Sequence, residues 1–379
     1  MTARLCAVGT CASIRGCLAT AITFRSDLGR GHDMKIQVNA RNRTHLFEAS
    51  PGEKILHGGL ARGIALPYEC ASGTCGTCKA KRVSGDIDDA WPDAPGRKSL
   101  KSADEFLMCQ CVARTDVVAE VPAFVQMMDT GSCVPCAGAG RIASTEMLTH
   151  DVMLIDVETD APVEFDAGQF VLLGVDEVEG MRGWSMVNFD RHARTLRFVV
   201  RRKPGGVLSD WLFGAASRVG TRVSLFGPLG HATFYPSLGR DLLCIAGGSG
   251  IAGVMSILSR AEQDEYFSRH AGDVFFGVRT SRDVYFLDEF TRLRRVCGEG
   301  LAVTVALSDE DPPSSLVNDY PLIRFDRGFV HEVAKRHMVG RLGNVIAYLA
   351  GPPPAVDASI RMLLLSRVTA DNIRYDKFS

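Results

Sequence analysis

The chain has 379 residues, 46% of them hydrophobic and 23% charged, which is typical of folded globular proteins and excludes a disordered, collagen-like or coiled-coil chain. Its 43 basic residues nearly balance 44 acidic ones, and the formal net charge of -1 gives no reason to expect binding to nucleic acid or to anionic lipid. At about 100 to 150 residues per domain, the length predicts two or three domains.

Residues 1–33 contain no apolar run of the roughly 20 residues that span a bilayer. A secretory signal is formally open, because 5–14 is a short apolar run and 19–21 has the small-x-small form of a cleavage site. We prefer to interpret 1–33 as an unstructured or mis-annotated extension, because the first β-strand is predicted to begin at Met34. The three cysteines of this extension are therefore assigned no role.

A cluster of cysteines has the spacing of an iron–sulfur site. Cys70, Cys75 and Cys78 form a C-x4-C-x2-C set, and a fourth cysteine follows much later, as in plant-type proteins that hold a [2Fe–2S] cluster. Glycines and short side chains in this loop let backbone N–H groups point at the sulfurs. A zinc site is the alternative, but it usually pairs two C-x2-C hooks. Spacing leaves both Cys109 and Cys111 open as the fourth ligand, because residues two apart in a strand share a face.

The rest of the chain divides into two segments with different patterns. Cys133 and Cys136 form a lone C-x2-C in a stretch rich in glycine and alanine, and we interpret 126–139 as a linker. In 140–236, short β-prone runs alternate with polar turns, which predicts an antiparallel barrel. In 237–379, apolar β-runs alternate with helical stretches, which predicts a parallel α/β sheet.

The last segment carries a glycine-rich loop directly after a predicted buried strand at 242–246. The loop consists of Gly247, Gly248, Ser249 and Gly250. Glycines that lead into a helix N-terminus bind phosphate groups, so the loop predicts a nicotinamide nucleotide site. The Rossmann fingerprint is not matched in full, because the acidic residue expected after the second strand is missing and Arg279 stands there.

Several motifs resemble reductases that serve bacterial multicomponent oxygenases, particularly toluene and phenol monooxygenases. In the first third of the chain they are P-Y-E-C with the cysteine loop at 67–78, W-P-D-A-P-G at 91–96 and F-L-M-C-Q-C at 106–111. The resemblance implies a β-grasp, plant-type ferredoxin domain at 34–125. In this family the cysteine followed by glutamine is the ligand, which implies that Cys109 binds the cluster and that Cys111 packs.

Two further motifs are similar to the FAD domain of this family. They are the R-x-Y-S-like Arg182, Gly183, Trp184 and Ser185, and a second phosphate loop with Gly205, Gly206, Val207 and Ser209. The resemblance implies that Arg182 pairs with the FAD pyrophosphate and that Trp184, in place of the usual tyrosine, lies on the isoalloxazine. It also implies that Ser185 is catalytic and faces the hydride-accepting nitrogen.

The C-terminal part resembles the nucleotide domain of the family. Gly351 and Pro352 belong to a Y-L-C-G-P-P-P-like stretch in which Ala350 replaces the cysteine that edges the nicotinamide pocket. The ending is similar to Y-E-K-F, which implies that Phe378 covers the flavin until nicotinamide displaces it; simple core packing is the alternative. The family generally uses NADH, whereas Arg279 would suit a 2′-phosphate. We predict NADH, with NADPH as the alternative.

The motifs together imply a multidomain α+β and α/β electron-transfer flavoprotein. We expect NADH to reduce FAD, and electrons to pass through the [2Fe–2S] cluster to an oxygenase or hydroxylase component, or to its small ferredoxin. A reductase for a deoxysugar dehydratase and a redox-sensing module without turnover are the alternatives. We expect a monomeric, cytoplasmic protein without a membrane anchor or a nucleic-acid partner.

Overall fold

The computed structural model describes residues 32–377. Phe378 and nearly all of the predicted extension 1–33 lie outside the described residues, so what the sequence predicts for them stays a prediction. Within the described part, no helix combines the length and the apolar character needed to cross a bilayer.

The first unit is a small mixed sheet packed against one helix, α1 (Ile55–Ala61). Its strands are β1 (Met34–Ala40), β2 (Thr44–Ala49), β3 (Lys79–Ser84), β4 (Ile87–Asp89), β5 (Glu105–Leu107), β6 (Cys111–Ala113) and β7 (Val117–Val121). Five of them run in the order β2-β1-β7-β3-β5, while β4 and β6 form a separate pair. β1 and β7 are parallel and the other neighbours are antiparallel. This arrangement, with a helix across a mixed sheet, agrees with the predicted β-grasp fold.

The second unit is an antiparallel sheet that curls into a barrel. Its strands are β8 (Cys136–Met147), β9 (Val152–Val163), β10 (Phe170–Val175), β11 (Val178–Ser185), β12 (Ala193–Arg201) and β13 (Arg222–Leu229). Their order is β11-β10-β13-β8-β9-β12, and every pair is antiparallel. A bridge between Met186 and Phe198 joins the two ends of this sheet. Helix α2 (Val207–Leu212) follows β12 and lies beside β11.

The third unit is a parallel sheet covered by helices. Its strands are β14 (Asp241–Gly247), β15 (Gly272–Val278), β16 (Leu301–Leu307), β17 (Arg324–Arg327), β18 (Val345–Gly351) and β19 (Ile373–Lys377). Its helices are α3 (Ile251–Gln263), α4 (Leu287–Cys297), α5 (Ser314–Asp319), α6 (Val330–His337) and α7 (Pro353–Leu365). The strand order β17-β16-β15-β14-β18-β19 reverses between β14 and β18. Ligands of open α/β sheets bind at such a reversal, beyond the carboxyl ends of the strands.

The segment predicted as a linker, 126–139, is anchored at both ends. Met127 forms a bridge with Ile64 of the first unit. Strand β8 begins at Cys136, which pairs with Gly227 of β13. The barrel therefore begins inside the predicted linker, because its first strand needs these residues to complete its ladder with β13. The domain boundaries otherwise stay predictions.

The first unit and the barrel share one apolar core. Phe170 and Leu172 of β10 and Phe226 and Leu229 of β13 pack among the buried side chains of the first sheet. Each of these four side chains is at most 5% exposed. Because the barrel contributes core side chains, the two units are held by apolar burial as well as by the chain that connects them.

An ion pair with a buried carboxylate generates a test of stability in the third unit. Asp273 of β15 is 4% exposed, and the half-exposed Arg341 donates two hydrogen bonds to it, at 3.1 and 2.6 Å. Burial raises the pKa of Asp273, and Arg341 opposes that shift. Arg341→Met should therefore leave a buried carboxylate without these two bonds and lower the free energy of unfolding by about 2 kcal/mol.

The measurement is urea unfolding followed by far-ultraviolet circular dichroism. Arg222→Met is the control, because Arg222 and Asp160 are both about half exposed and their pair contributes no more than about 1 kcal/mol. The difference between Arg341→Met and the wild type should shrink at acidic pH, where the Asp273 carboxyl takes a proton. Equal losses in Arg341→Met and in the control would contradict the assignment.

Candidate functional site

The cysteine loop lies between α1 and β3 and turns its backbone amides towards its own sulfurs. The N–H groups of Ser72 and Cys75 each lie 3.4 Å from Cys70 Sγ. The N–H group of Thr77 lies 3.4 Å from Cys75 Sγ. Amide donors stabilise a negatively charged sulfur, and such bonds to the sulfurs tune iron–sulfur clusters. The loop therefore fits thiolate ligands.

Two glycines make this turn of the loop possible. Gly73 and Gly76 have φ angles of +91° and +80°, in the left-handed region that favours glycine. A Cβ on Gly76 would lie 2.7 Å from the carbonyl oxygen of Gly96, and one on Gly73 would lie 2.9 Å from Nε2 of Gln110. Both positions therefore require glycine for conformation and for space.

The fourth cysteine approaches the loop from the end of β5. Sγ of Cys109 lies 3.2 Å from Sγ of Cys78, and both residues are at most 1% exposed. The side-chain amide of Gln110 lies 3.5 Å from the same Cys109 sulfur. Cys111 lies in β6, where it pairs with Asp89 of β4. This geometry favours Cys109 over Cys111 as the fourth thiolate, the choice that the resemblance implied.

The four residues similar to the flavin signature end strand β11. They are Arg182, Gly183, Trp184 and Ser185. The Trp184 ring packs on Phe198, with centroids 5.9 Å apart. Ser185 is 8% exposed, and its Cβ lies 3.8 Å from the point where a Cβ on Gly253 would stand. Gly253 is in the first turn of α3. The end of β11, which we call the flavin strand, therefore meets the helix that follows the glycine-rich loop.

The Arg182 side chain lies where the barrel meets the cysteine loop. Its guanidinium carbon is 5.1 Å from the centroid of a Trp91 ring, and Nη1 donates to the Met181 carbonyl at 3.0 Å. Burial lowers the pKa of Arg182. The sequence identified Trp91 only as part of a resemblance motif and did not predict this contact. The arginine expected at the flavin pyrophosphate thus also contacts the first unit.

The second phosphate-loop candidate lies beside β11 and is tied together by its own side chains. Gly205 has a φ angle of +75°, and its N–H group donates to Asp210 at 3.0 Å. The Ser209 hydroxyl donates to the carbonyls of Lys203 and Gly206, each at 3.0 Å. Gly206 precedes the helix, which begins at Val207, so Ser209 is not its cap. These bonds fix the shape of the loop next to the flavin strand.

The carboxyl ends of β14 and β18 meet at glycines. A Cβ on Gly250 would lie 2.5 Å from the Ala350 carbonyl oxygen. Gly351 has a φ angle of +140°, and a Cβ there would lie 2.9 Å from the Gly247 carbonyl oxygen. The Pro352 ring lies 3.4 Å from the Cβ position of Gly247. The backbone approach leaves room for no side chain at the strand reversal, the place where ligands of open α/β sheets bind.

Gly248 and Ser249 complete this loop as a 3-10 turn that leads into α3. Gly248 has a φ angle of +54°, and its carbonyl accepts a hydrogen bond from the Tyr285 hydroxyl at 3.0 Å. Tyr285 is 5% exposed. The buried Tyr285 side chain therefore holds the loop through the Gly248 carbonyl.

Arg279 follows β15 and belongs to an ion-pair network between the barrel and the third unit. Its Nη2 is 3.1 Å from Asp283 and 3.9 Å from Asp151, which also pairs with Arg201 at 2.9 Å. His150, Asp151 and Asp283 lie close enough together to resemble a metal site. The two arginines already neutralise these carboxylates, so the group is explained as an ion-pair network.

Asp283 is an acidic residue that the sequence analysis missed. It is 8% exposed and accepts bonds from Arg279 and from the N–H and hydroxyl of Thr280, at 3.1 to 3.2 Å. Burial alone would raise the pKa of Asp283, but these bonds outweigh burial and lower it. An acidic residue therefore lies four positions beyond Arg279, and a capping-box turn brings it back to that arginine.

Comparisons with known proteins agree with this geometry. Three family models match in sequence order: a 2Fe-2S iron-sulfur cluster binding domain at 38–114, an oxidoreductase FAD-binding domain at 139–234 and an oxidoreductase NAD-binding domain at 244–360. These matches confirm the predicted [2Fe–2S], FAD and nicotinamide cofactors and the predicted classes of fold.

Similar proteins cover almost the whole chain. The ferredoxin–NAD(P)+ reductase CarAd of Metapseudomonas resinovorans is 36% identical over 332 residues, 86% of this chain and 95% of CarAd. The xylene/toluene monooxygenase electron transfer component XylA of Pseudomonas putida is 32% identical, over 90% of this chain and 93% of XylA. A solved structure described as the ferredoxin reductase in carbazole 1,9a-dioxygenase has a TM-score of 0.76 and 33% identity, over 92% of this chain and 100% of that one.

Identity at this level, over nearly the full length of the relatives, favours an oxygenase reductase over the two alternatives, the sensor module and the dehydratase reductase. The three units occur in the order and with the motifs that the sequence predicted. The chain belongs to the family of NAD(P)H-dependent ferredoxin reductases, iron–sulfur flavoprotein oxidoreductases that form the electron-transfer components of oxygenase systems.

Proposed function

We propose that the chain carries electrons from NADH through FAD and a [2Fe–2S] cluster to the oxygenase component, or to the small ferredoxin, of an aromatic multicomponent oxygenase. One contact carries this proposal: the cysteine loop lies against the flavin strand. The Cys70 carbonyl oxygen is 3.9 Å from the Cβ position of Gly183, whereas Thr77 at the far end of the loop is exposed. The loop therefore has one end at the flavin strand and the other end open to an acceptor.

When bound, the groups supply hydride transfer between nicotinamide and flavin and single-electron transfer through the cluster. We assign the iron ligands to Cys70, Cys75, Cys78 and Cys109. Arg182 offers a cation for the flavin pyrophosphate. Ser185 lies where the barrel meets α3, which suits a hydroxyl near the hydride path, and Phe378 retains its predicted role as the flavin cover.

The nucleotide-binding residues of the proposal lie at the sheet reversal. Gly247 to Gly250 and Gly351-Pro352 form the crevice for the nicotinamide half, and Arg279 lies at the adenosine end. The units assigned to the three cofactors are 34–125, 140–236 and 237–379. A cytoplasmic location follows from the use of NADH, which the cytoplasm supplies.

The direct test is anaerobic addition of NADH to the holoprotein. We expect the flavin absorbance to bleach first and the paramagnetic signal of a reduced [2Fe–2S] cluster to follow. Purified aromatic oxygenase components, with and without their ferredoxins, should then reoxidise the chain with turnover. A flavin that NADH does not bleach would contradict the electron path. Turnover with a deoxysugar dehydratase alone would contradict the proposed acceptor.

Ligand choice gives the first prediction. Cys109→Ser should abolish the visible absorption of the cluster, because it removes a thiolate 3.2 Å from Cys78. Cys111→Ser should keep that absorption, because Cys111 lies in the β4–β6 pair. Both variants replace a fully buried thiol by a hydroxyl, so each controls for the burial cost of the other. Equal loss of absorption in both variants would contradict the assignment of Cys109 as the fourth ligand.

Nucleotide preference gives the second prediction. We expect a preference for NADH, because Asp283 holds the Arg279 guanidinium and a 2′-phosphate would have to displace that carboxylate. Asp283→Ala should release Arg279 and lower the NADH to NADPH ratio of kcat/KM about tenfold, since a hydrogen bond to a charged group contributes about 1.5 to 3 kcal/mol. Arg279→Ala should remain selective for NADH.

The control for this prediction is Glu310→Ala, which removes an acid that follows β16 and contacts the same turn. Glu310 accepts a bond from the Ser281 N–H group at 2.6 Å and should leave the nucleotide ratio unchanged. The measurement is steady-state kcat/KM for both nucleotides in all four proteins. A wild-type preference for NADPH that collapses in Arg279→Ala would reverse the assignment.

A further inference from the structure

The part of the cysteine loop that faces the barrel, Cys70 to Gly73, is held from two sides. Next to the two holding contacts, which are at Ala71 and Gly73, the Cys70 carbonyl approaches β11 at Gly183, which has no side chain to block it. The Phe170 ring lies 3.3 Å from the Cβ position of Gly183, so the barrel core closes directly behind this approach. Any movement of the loop here changes the separation between the cysteine ligands and the flavin strand.

His57 holds the first side. Its ring, on α1, stacks on Phe226 of β13, with centroids 4.1 Å apart and planes 9° apart. Burial lowers the His57 pKa to about 3, so the ring is neutral, and the neighbouring Ala71 backbone carbonyl opposes that shift. Ala71 has a φ angle of +51°, which is uncommon for a residue with a side chain. One ring thus connects the barrel core to the residue that follows Cys70.

His57 is unusual for a core histidine because one of its ring nitrogens has no hydrogen-bond partner. It is 8% exposed, and this nitrogen is Nε2, which lacks a partner among the described residues. A phenylalanine would make the same stack without this unsatisfied nitrogen. The histidine therefore offers something that a phenylalanine cannot, namely a polar ring that interacts with the Ala71 carbonyl.

Trp91 holds the second side. Its ring lies 3.1 Å from the Cβ position of Gly73, at the far end of the same loop segment. The ring also contacts the Arg182 guanidinium, whose carbon is 5.1 Å from a ring centroid. A cation over an aromatic face contributes about 0.5 to 2 kcal/mol, more when it is desolvated, and Arg182 is partly buried. Trp91 thus joins the cysteine loop to the arginine assigned to the flavin pyrophosphate.

We propose that His57 and Trp91 are positioning residues that clamp the Cys70–Gly73 segment on the barrel and thereby set the rate of electron transfer from flavin to cluster. The inference rests on the proposed electron path. In this step one electron moves from reduced FAD, whose reductant is NADH, to a ferric ion of the cluster, and no bond forms or breaks. Because such transfer depends steeply on separation, a loosened loop slows it and leaves the hydride step untouched.

The test uses the full-length holoprotein and the variants His57→Leu, Trp91→Leu and the double variant. Stopped-flow mixing with NADH separates flavin bleaching from cluster reduction. We expect bleaching at the wild-type rate and cluster reduction about tenfold slower in the double variant, as expected when reacting groups lose fixed positions. Trp91→Phe should recover most of the rate because it keeps an aromatic face for Arg182, and His57→Phe should recover part of it.

Hydrogen exchange provides a readout independent of turnover. Amides of β11 and of the cysteine loop should exchange faster in the leucine variants than in the phenylalanine variants. Tyr235→Leu is the matched control, because it removes an arginine–ring contact, 4.8 Å from Arg374, that does not involve the cysteine loop. It should change neither the exchange of these amides nor the cluster reduction rate.

The outcomes separate this inference from the proposed function. Wild-type rates of cluster reduction in the leucine variants, or phenylalanine variants as slow as the leucine ones, would overturn the clamp. If the double variant loses its cluster, the single variants decide by the same criteria. If NADH bleaches no flavin in the wild type, the proposed function fails.

Discussion

Electrons can cross this molecule only if its three units come close together, and glycines lie at two of the contacts between units. Gly183 admits the Cys70 carbonyl to β11 of the barrel, and Gly253 of the third unit faces Ser185 of the barrel. Within the third unit, a Cβ at Gly250 would stand 2.5 Å from the Ala350 carbonyl oxygen, so the strand ends would have to separate. The close approach of these backbone segments depends on the absence of side chains at the three glycines.

Apolar burial keeps those contacts closed. Phe170 and Phe226 of the barrel pack in the core of the first sheet, and the Phe170 ring also contacts the Cβ position of Gly183. The same β10 and β13 strands pair in the middle of the barrel. Rotation of the first unit would therefore expose core side chains of both units, which costs about 25 cal/mol for each Å² of apolar surface. The first unit and the barrel are therefore joined by a shared apolar core and not only by the connecting chain.

The sequence predicted what is encoded locally. Cysteine spacing indicated the cluster, the glycine-rich loop after β14 indicated the nucleotide site, and strand alternation indicated the barrel and the parallel sheet, because ligand loops and strand patterns are short-range features. The FAD and the fold of the first unit were predicted only from the family resemblance. The sequence analysis missed Asp283, because the acid lies four residues beyond the expected position and returns through a turn. It also missed the Trp91–Arg182 contact and the early start of β8 at Cys136. Both depend on pairing between segments distant in the chain, which no local pattern records.

The arrangement also separates the two ends of the proposed electron path. The half-buried Cys70 end of the cysteine loop lies against β11, whereas Thr77 is exposed at the other end. The proposed nucleotide site lies at β14 and β18 of the third unit, which contacts the end of β11 where Gly253 faces Ser185. An acceptor that docks at Thr77 would therefore need no separation of the first unit from the barrel, and its docking site and the proposed NADH site belong to different units. A first unit held on the barrel is then compatible with repeated turnover.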